Sequence, residues 1–375
     1  MAPARLAGAA AAAAAAVLVA CSATVPGTDL GDGDPPAPSP LPGGGLGPTL
    51  VDVLDRDPAG YGFEHVRAFL VVQDGRPVFE RYRDSTPETT HDVHSVTASI
   101  MSVLVGIAIE EGHLAGVHPT LGELLPDHAA QMPDGVSSVT LEHLLTMTGG
   151  LPAAPFDAGG PGDVVGGVLA DGLRFAPGER FVHSDRGAHL VSAVLAEATG
   201  TSVLAFARER LFDPLEIVTE PAAEPVAVAG NQAAYDRAAF AWPVDAQGRH
   251  LGASHLKLTA SDLVRIGRLM AEGGRREGRQ LVPEWWVAAS TNLQAEPAGS
   301  VRVTEGYGYL WWVTTADGRD AFAALGHGGQ LVEVVPELEL VVVALSAVPA
   351  QTSEVLDAAA LLALVDEVVA PGLAP

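Results

Sequence analysis

Residues 94–112 read HSVTASIMSVLVGIAIEEG, and the fold class follows from how this stretch is understood. Over 95–111, large apolar residues fall on every side of a 3.6-residue period, which predicts a helix buried all round. Glu110-Glu111-Gly112 supplies its end, with glycine where a helix C-terminus needs a left-handed residue. Ser95 stands at its start, where free backbone N–H groups and the positive end of the helix dipole favour a developing negative charge. Serine is also an ordinary helix cap, and in isolation capping is the simpler account of it.

Upstream, 68–72 and 76–82 are short runs with apolar and aromatic residues, and Gln73-Asp74-Gly75 between them supplies the turn of a β-hairpin. Downstream, helix signals dominate: 141–146, 187–198, 203–211 and 261–272, with Thr140, Thr201 and Ser261 as caps or first-turn residues. The C-terminal part changes to strands, at 308–315, 321–325, 331–335 and 338–345, and an alanine-rich apolar helix at 353–369 closes the chain. Strands at both ends around a helical region (about 112–248) predict one interleaved α/β (α+β) domain over 49–375. Its antiparallel sheet is made of N- and C-terminal strands with helices on its faces. A hydrophobic content of 48% is enough for a sizeable core.

The order of several segments then matters. The 97–112 helix, Leu141-Glu142-His143-Leu144-Leu145-Thr146-Met147-Thr148-Gly149-Gly150-Leu151, Pro177-Gly178-Glu179, Gly306-Tyr307-Gly308-Tyr309-Leu310-Trp311-Trp312 and Gly326-His327-Gly328-Gly329-Gln330 succeed one another. In this order they resemble the class C β-lactamase-related serine hydrolases, which include β-lactamases, D-Ala-D-Ala carboxypeptidases, esterases and aminohexanoate-oligomer hydrolases. The resemblance covers about 49–369 and implies the β-lactamase/transpeptidase-like fold.

It also assigns roles residue by residue. Ser95 matches the nucleophile of Ser-x-x-Lys, whose lysine lies one helical turn on and assists removal of the serine proton. Here that position is Ala98, and Lys257 is the sole lysine of the chain. The second motif, Tyr-x-Asn, corresponds to His183-Ser184-Asp185. Histidine could accept a proton there, whereas an ionised Asp185 is acceptor-only. The third motif, Lys/His-x-Gly on an edge strand, corresponds to His327-Gly328-Gly329, glycines that would let a substrate backbone approach. The resemblance places an oxyanion hole at the N–H groups of Ser95 and Gln330. Catalytic candidates are therefore Ser95, His183 and His327, and substrate-binding candidates are Asp185, Gly328, Gly329 and Gln330.

Two readings follow from these departures. In one, loss of the lysine leaves a catalytically impaired domain that keeps a cleft for a peptide, cell-wall or small amide or ester ligand. In the other, His183 replaces the lysine as base for Ser95 and the protein is an active serine hydrolase. No cofactor is expected. No pair of the twelve histidines has metalloprotease spacing, so no metal site is expected either.

The N-terminal segment speaks to location. Arg5 precedes an alanine-dominated apolar run, 7–20, too short and too weakly apolar for a comfortable membrane span. Leu18-Val19-Ala20-Cys21 resembles the lipobox of bacterial lipoproteins, and Cys21 is the chain's one cysteine. The expectation is a signal peptide over 1–20, lipidation at Cys21 and export to the outer face of the cell membrane. A Pro/Gly-rich tether over 21–48 would carry the domain. Asp and Glu number 46 against 21 Lys and Arg, a formal charge of -25, which argues against nucleic acid as a partner.

Overall fold

The structure is a computed structural model and describes residues 45–57, 59–153, 157–160, 162–225, 232–297, 304–348 and 355–373. The apolar run, Cys21 and the tether up to residue 44 lie outside the described residues. The first described element is α1 (Leu46–Arg56), whose Leu50 and Leu54, on one helical face, are buried. No described helix is by itself long and apolar enough to cross a membrane.

The chain then forms the expected hairpin, β1 (Val66–Gln73) and β2 (Arg76–Tyr82). Its turn residues Asp74 (φ 49°) and Gly75 (φ 70°) are both left-handed, as a two-residue hairpin turn requires. The C-terminal strands are β3 (Thr304–Tyr307), β4 (Trp312–Ala316), β5 (Arg319–Gly326), β6 (Gln330–Val335) and β7 (Leu340–Ser346). All pair antiparallel in the order β2-β1-β7-β6-β5-β4-β3. The central strand β7 is buried along its whole length, and its side chains alternate between two cores. Val341, Val343 and Leu345 face the helical part of the molecule. Leu340, Val342 and Ala344 face α1 and the C-terminal helices, the first of which is α7 (Ala358–Leu364).

The quoted stretch is α2 (Val96–Glu110), with every residue from Val96 to Ala108 buried and Gly112 left-handed at its exit (φ 78°). It packs against β5 and β6 and against α4 (Asp185–Thr199) and α6 (Glu284–Thr291), while α3 (Leu141–Leu145) packs on α4 and α5 (Ala260–Ala271) lies directly on β1, β6 and β7. Thr140 caps α3 as expected. Elsewhere Ser202, one position after Thr201, accepts from Ala205 N, and Thr259 accepts from Asp262 N with Ser261 in the first turn as expected.

The segment 308–311 is not strand. Gly308 N donates to Trp311 O at 2.8 Å, Leu310 is left-handed (φ 59°), and the bend is tied to α6 through Tyr309 N on Ser290 O and to α3 through Leu310 N on Leu145 O. A Cβ on Gly308 would stand 2.1 Å from Ser290 O, which is why glycine is there. This bend serves α2 directly, since Ser99 Oγ donates to Leu310 O at 2.6 Å.

Candidate active site

Ser95 is the N-cap position of α2, and its hydroxyl caps no helix amide and has no hydrogen-bond partner among the described residues. The residues around it are firmly held. Asp92 Oδ1 accepts from His94 N (2.8 Å), His94 takes a left-handed conformation (φ 45°), and Thr97 Oγ1 donates to His94 O (2.7 Å). Together these fix the chain's entry into the helix, so Ser95 sits at a rigid helix N-terminus with a free hydroxyl. Ala98, one turn further on, is 6% exposed and offers no ionisable group. Lys257 does not substitute for it. Its ammonium donates to the carbonyls of Tyr235, Asp236 and Ala238 at the end of the short helix Gln232–Arg237, at 3.1, 3.2 and 2.9 Å.

Imidazoles and carboxylates gather beside Ser95. His255 Nδ1 lies 2.7 Å from Asp92 Oδ2, and the His94 ring is 5.9 Å from that of His255 and 5.8 Å from that of His327. Burial works to raise the Asp92 carboxyl, yet His255 and His94 together hold it well below the ordinary carboxylate range. Burial likewise disfavours the charged form of His255, but the Asp92 carboxylate and then Asp185 outweigh it, so its pKa is raised. Burial lowers His94 and His327. Tyr235 donates its hydroxyl to His255 O at 3.1 Å, and burial next to Asp92 raises its phenol far above its usual value.

The second-motif segment is positioned by α4. Ser184 caps that helix, accepting from Gly187 N and donating to Pro152 O, and Val182 N reaches Met147 O at 2.8 Å. This places Asp185 in the first turn, within electrostatic reach of both His183 and His255. Burial raises the Asp185 carboxyl against those two neighbours. Protonated, it regains the O–H donor that an ionised carboxylate lacks. His183 is exposed and has no hydrogen-bond partner among the described residues. An aromatic wall flanks this region: Phe181, Tyr307 and Trp312 have ring separations of 5.1, 4.9 and 6.1 Å, and the Asp185 charge contributes to raising the Tyr307 phenol after burial. Trp286 and Trp311 are core residues, while Trp285 is half exposed.

The third motif differs from its expected setting. His327-Gly328-Gly329 is the turn between β5 and β6, and β5 is an interior strand, not an edge strand. Pairing with β4 ends at Ala323, so 324–326 pair with β6 alone. Gly328 (φ 74°) and Gly329 (φ 84°) are demanded by the turn, and their missing Cβ atoms would strike Val348 (2.4 Å) and Leu356 (2.7 Å). The chain's own C-terminal segment therefore accounts for both glycines. The Gln330 side chain is also engaged internally: Nε2 donates to His327 O, Gly328 O and Ser346 O, and Oε1 accepts from Ser346 N. What Gln330 can offer a ligand is its main chain. Gly326, whose Cβ would lie 2.6 Å from Val93 O, lets the end of β5 abut the entry of α2 and brings His327 to His94.

Asp92 and His255 are the central pair of this cluster and were not singled out by motif. They are 163 positions apart in the chain and meet because the short pair His91–Asp92 and Lys257–Leu258 sets the two segments side by side. The available signal was Asp92 and His94 flanking one residue just before the helix.

The sheet order and the helix that Ser95 begins are those of a β-lactamase/transpeptidase-like fold. A sequence model described as Beta-lactamase matches residues 64–367, and the chain belongs to that family. The 6-aminohexanoate-dimer hydrolase of Paenarthrobacter ureafaciens is 27% identical over 306 residues, covering 75% of this chain and 72% of the relative. Among solved structures, the octameric penicillin-binding protein homologue from Pyrococcus abyssi superposes with a TM-score of 0.62 at 18% identity, covering 83% of this chain and 77% of that one. A penicillin-binding protein homologue from Caulobacter crescentus gives 0.61 at 17% identity, covering 87% and 97%.

Proposed function

We propose that this is an exported, lipid-anchored member of the family whose cleft binds a small amide, ester or peptide ligand, cell-wall fragments included, without turnover by a serine–lysine mechanism. The observation that carries the reading is the absence of any amine near the nucleophile: Ala98 fills the lysine position and Lys257 is tied to three carbonyls. A serine hydroxyl at its ordinary pKa is a poor nucleophile, and a missing base costs several orders of magnitude in related triads. Kinship with a 6-aminohexanoate-dimer hydrolase supports an amide-bearing ligand. Lipidation at Cys21 would hold the domain at the outer face of the cell membrane, a point tested by metabolic labelling with a fatty-acid probe and its loss in Cys21→Ser.

A second reading, an active hydrolase with an imidazole base, is favoured by one observation: His255 is hydrogen-bonded to Asp92 in the manner that orients a catalytic histidine. His183 remains the candidate from motif position. A fluorophosphonate probe decides between the readings by mass spectrometry of Ser95. No adduct on the folded wild-type protein supports the binding role. An adduct lost in Ser95→Ala overturns it, and loss in His183→Ala or in His255→Ala then identifies the base.

A further inference from the structure

We propose that Asp92, His94 and His255 form a binding site for a divalent transition-metal ion of the zinc type, a role that goes beyond the binding function above and does not depend on it. Each of the three can bring one ligand atom within 4.8 Å of the other two. Two imidazoles and a carboxylate are the donor set that zinc takes in open, three-ligand sites. His94 Nδ1 is buried and meets no hydrogen-bond partner, an orphan acceptor or donor that the rest of the fold leaves unexplained.

The backbone holds the donors in advance of any ligand. His94 (φ 45°) and His255 (φ 70°) are both non-glycine residues in the left-handed region, an unfavourable conformation that recurs where structure is organised around a function. Their segments are locked together by Val93 N on Leu256 O (2.9 Å), by Leu256 N on Thr97 Oγ1 (3.3 Å) and by the pairing of Asp92 with Lys257. Tyr235 steadies His255 from outside through its carbonyl. The Lys257 ammonium is held by the carbonyls at 235–238, so its cation is not committed to Asp92.

Binding would replace the hydrogen bond between Asp92 Oδ2 and His255 Nδ1: the Nδ1 proton leaves to solvent or shifts to Nε2, and the carboxylate and the neutral imidazole become free to ligate the metal. His94 supplies the third ligand. His327, whose ring neighbours that of His94, is the nearest further imidazole, and the position it does not fill is left to water or substrate beside Ser95.

The test uses the full chain carrying Cys21→Ser, which removes the only thiol, with zinc titrated against a chromogenic chelator and cobalt(II) as a spectroscopic probe. The expected result is one tight equivalent of zinc and visible d–d bands from bound cobalt. Asp92→Asn and His255→Ala should each weaken zinc by about a hundred-fold or more, at least the loss seen when even outer-sphere partners of metal sites are removed. His118→Ala, at a histidine whose side chain is 84% exposed, should leave binding unchanged. Circular dichroism checks that the variants fold. Should His255→Ala unfold, the near-isosteric Asp92→Asn carries the comparison. Wild-type affinity no greater than that of Asp92→Asn, or an equal loss in His118→Ala, overturns the proposal.

Discussion

Glu333 allows the sharpest test of the energetics. It lies in β6, 1% exposed, opposite Ala323 on one neighbouring strand and Val342 on the other, within the core that faces the C-terminal helices. Oε1 accepts from Thr314 Oγ1 at 2.9 Å and Oε2 is buried without a partner. Burial, reinforced by Asp366 and only partly offset by Thr314, pushes the carboxyl up to about 8 from an unfolded value of 4.5. The folded protein therefore holds this proton over a pH range in which the unfolded chain has released it. Stability attributable to Glu333 is greatest below 4.5 and falls as pH rises towards 8, by about 1.4 kcal/mol per unit. Over the whole window the loss is roughly 3–5 kcal/mol, a large share of a typical folding free energy. Glu333→Gln keeps the shape and removes the titration, at a pH-independent cost of about 1–3 kcal/mol for an amide left partly unsatisfied. Urea unfolding of both proteins at pH 5 and pH 8.5 should show the variant gaining on the wild type by roughly 3–5 kcal/mol between the two pH values. Other titrating groups cancel in that double difference. A difference that does not change with pH would refute the assignment of a neutral, buried acid.

Two further substitutions probe the scaffold around the site. Lys257→Met removes the ammonium from three carbonyls, and should lower stability by about 1–3 kcal/mol in denaturant unfolding while leaving the reactivity of Ser95 towards fluorophosphonate at its wild-type level. Leu104→Ala empties a fully buried position in the middle of α2 and should cost about 2–5 kcal/mol, read by the same unfolding assay.

The fold was legible in the sequence because its elements carry strong local signals. The all-round apolar pattern of 95–111, the Asp74-Gly75 turn and the β-branched run of β7 each correspond to a buried helix, a left-handed turn and a central strand. Local signals failed where tertiary contacts decide. The segment 308–311 has the composition of a strand but bends, because its main chain bonds α3 and α6 instead of a neighbouring strand. Composition marks 331–335 as a strand but does not show that Glu333 within it is buried on the face that packs with the C-terminal helices. The site divides in the same way. Ser95 and Ala98 are found by position on one helix, whereas the Asp92–His255 pair depends on a two-residue ladder between distant segments that no spacing rule describes.

That division separates the backbone frame of the site from the residues at its matched positions. The shape of the site is set by main-chain approaches that tolerate no side chain: Gly326 against Val93, Gly150 (φ 74°) against Phe175 O at 2.2 Å, and Gly328 and Gly329 in the turn that carries His327. A side chain at Gly326 or Gly150 would strike a main-chain oxygen, and one at Gly328 or Gly329 would meet Val348 or Leu356 from a left-handed backbone, so glycine is favoured at all four. The residues at the three matched positions are under no such constraint, in contrast to Asp92, which holds His94 N. Ala98, His183 and Asp185 stand where the resemblance implies lysine, tyrosine and asparagine, and each fits without disturbing a strand or helix. Substituting Gly150 or Gly326 should therefore lower the unfolding midpoint in urea, whereas His183→Ala, at an exposed side chain, should leave that midpoint unchanged.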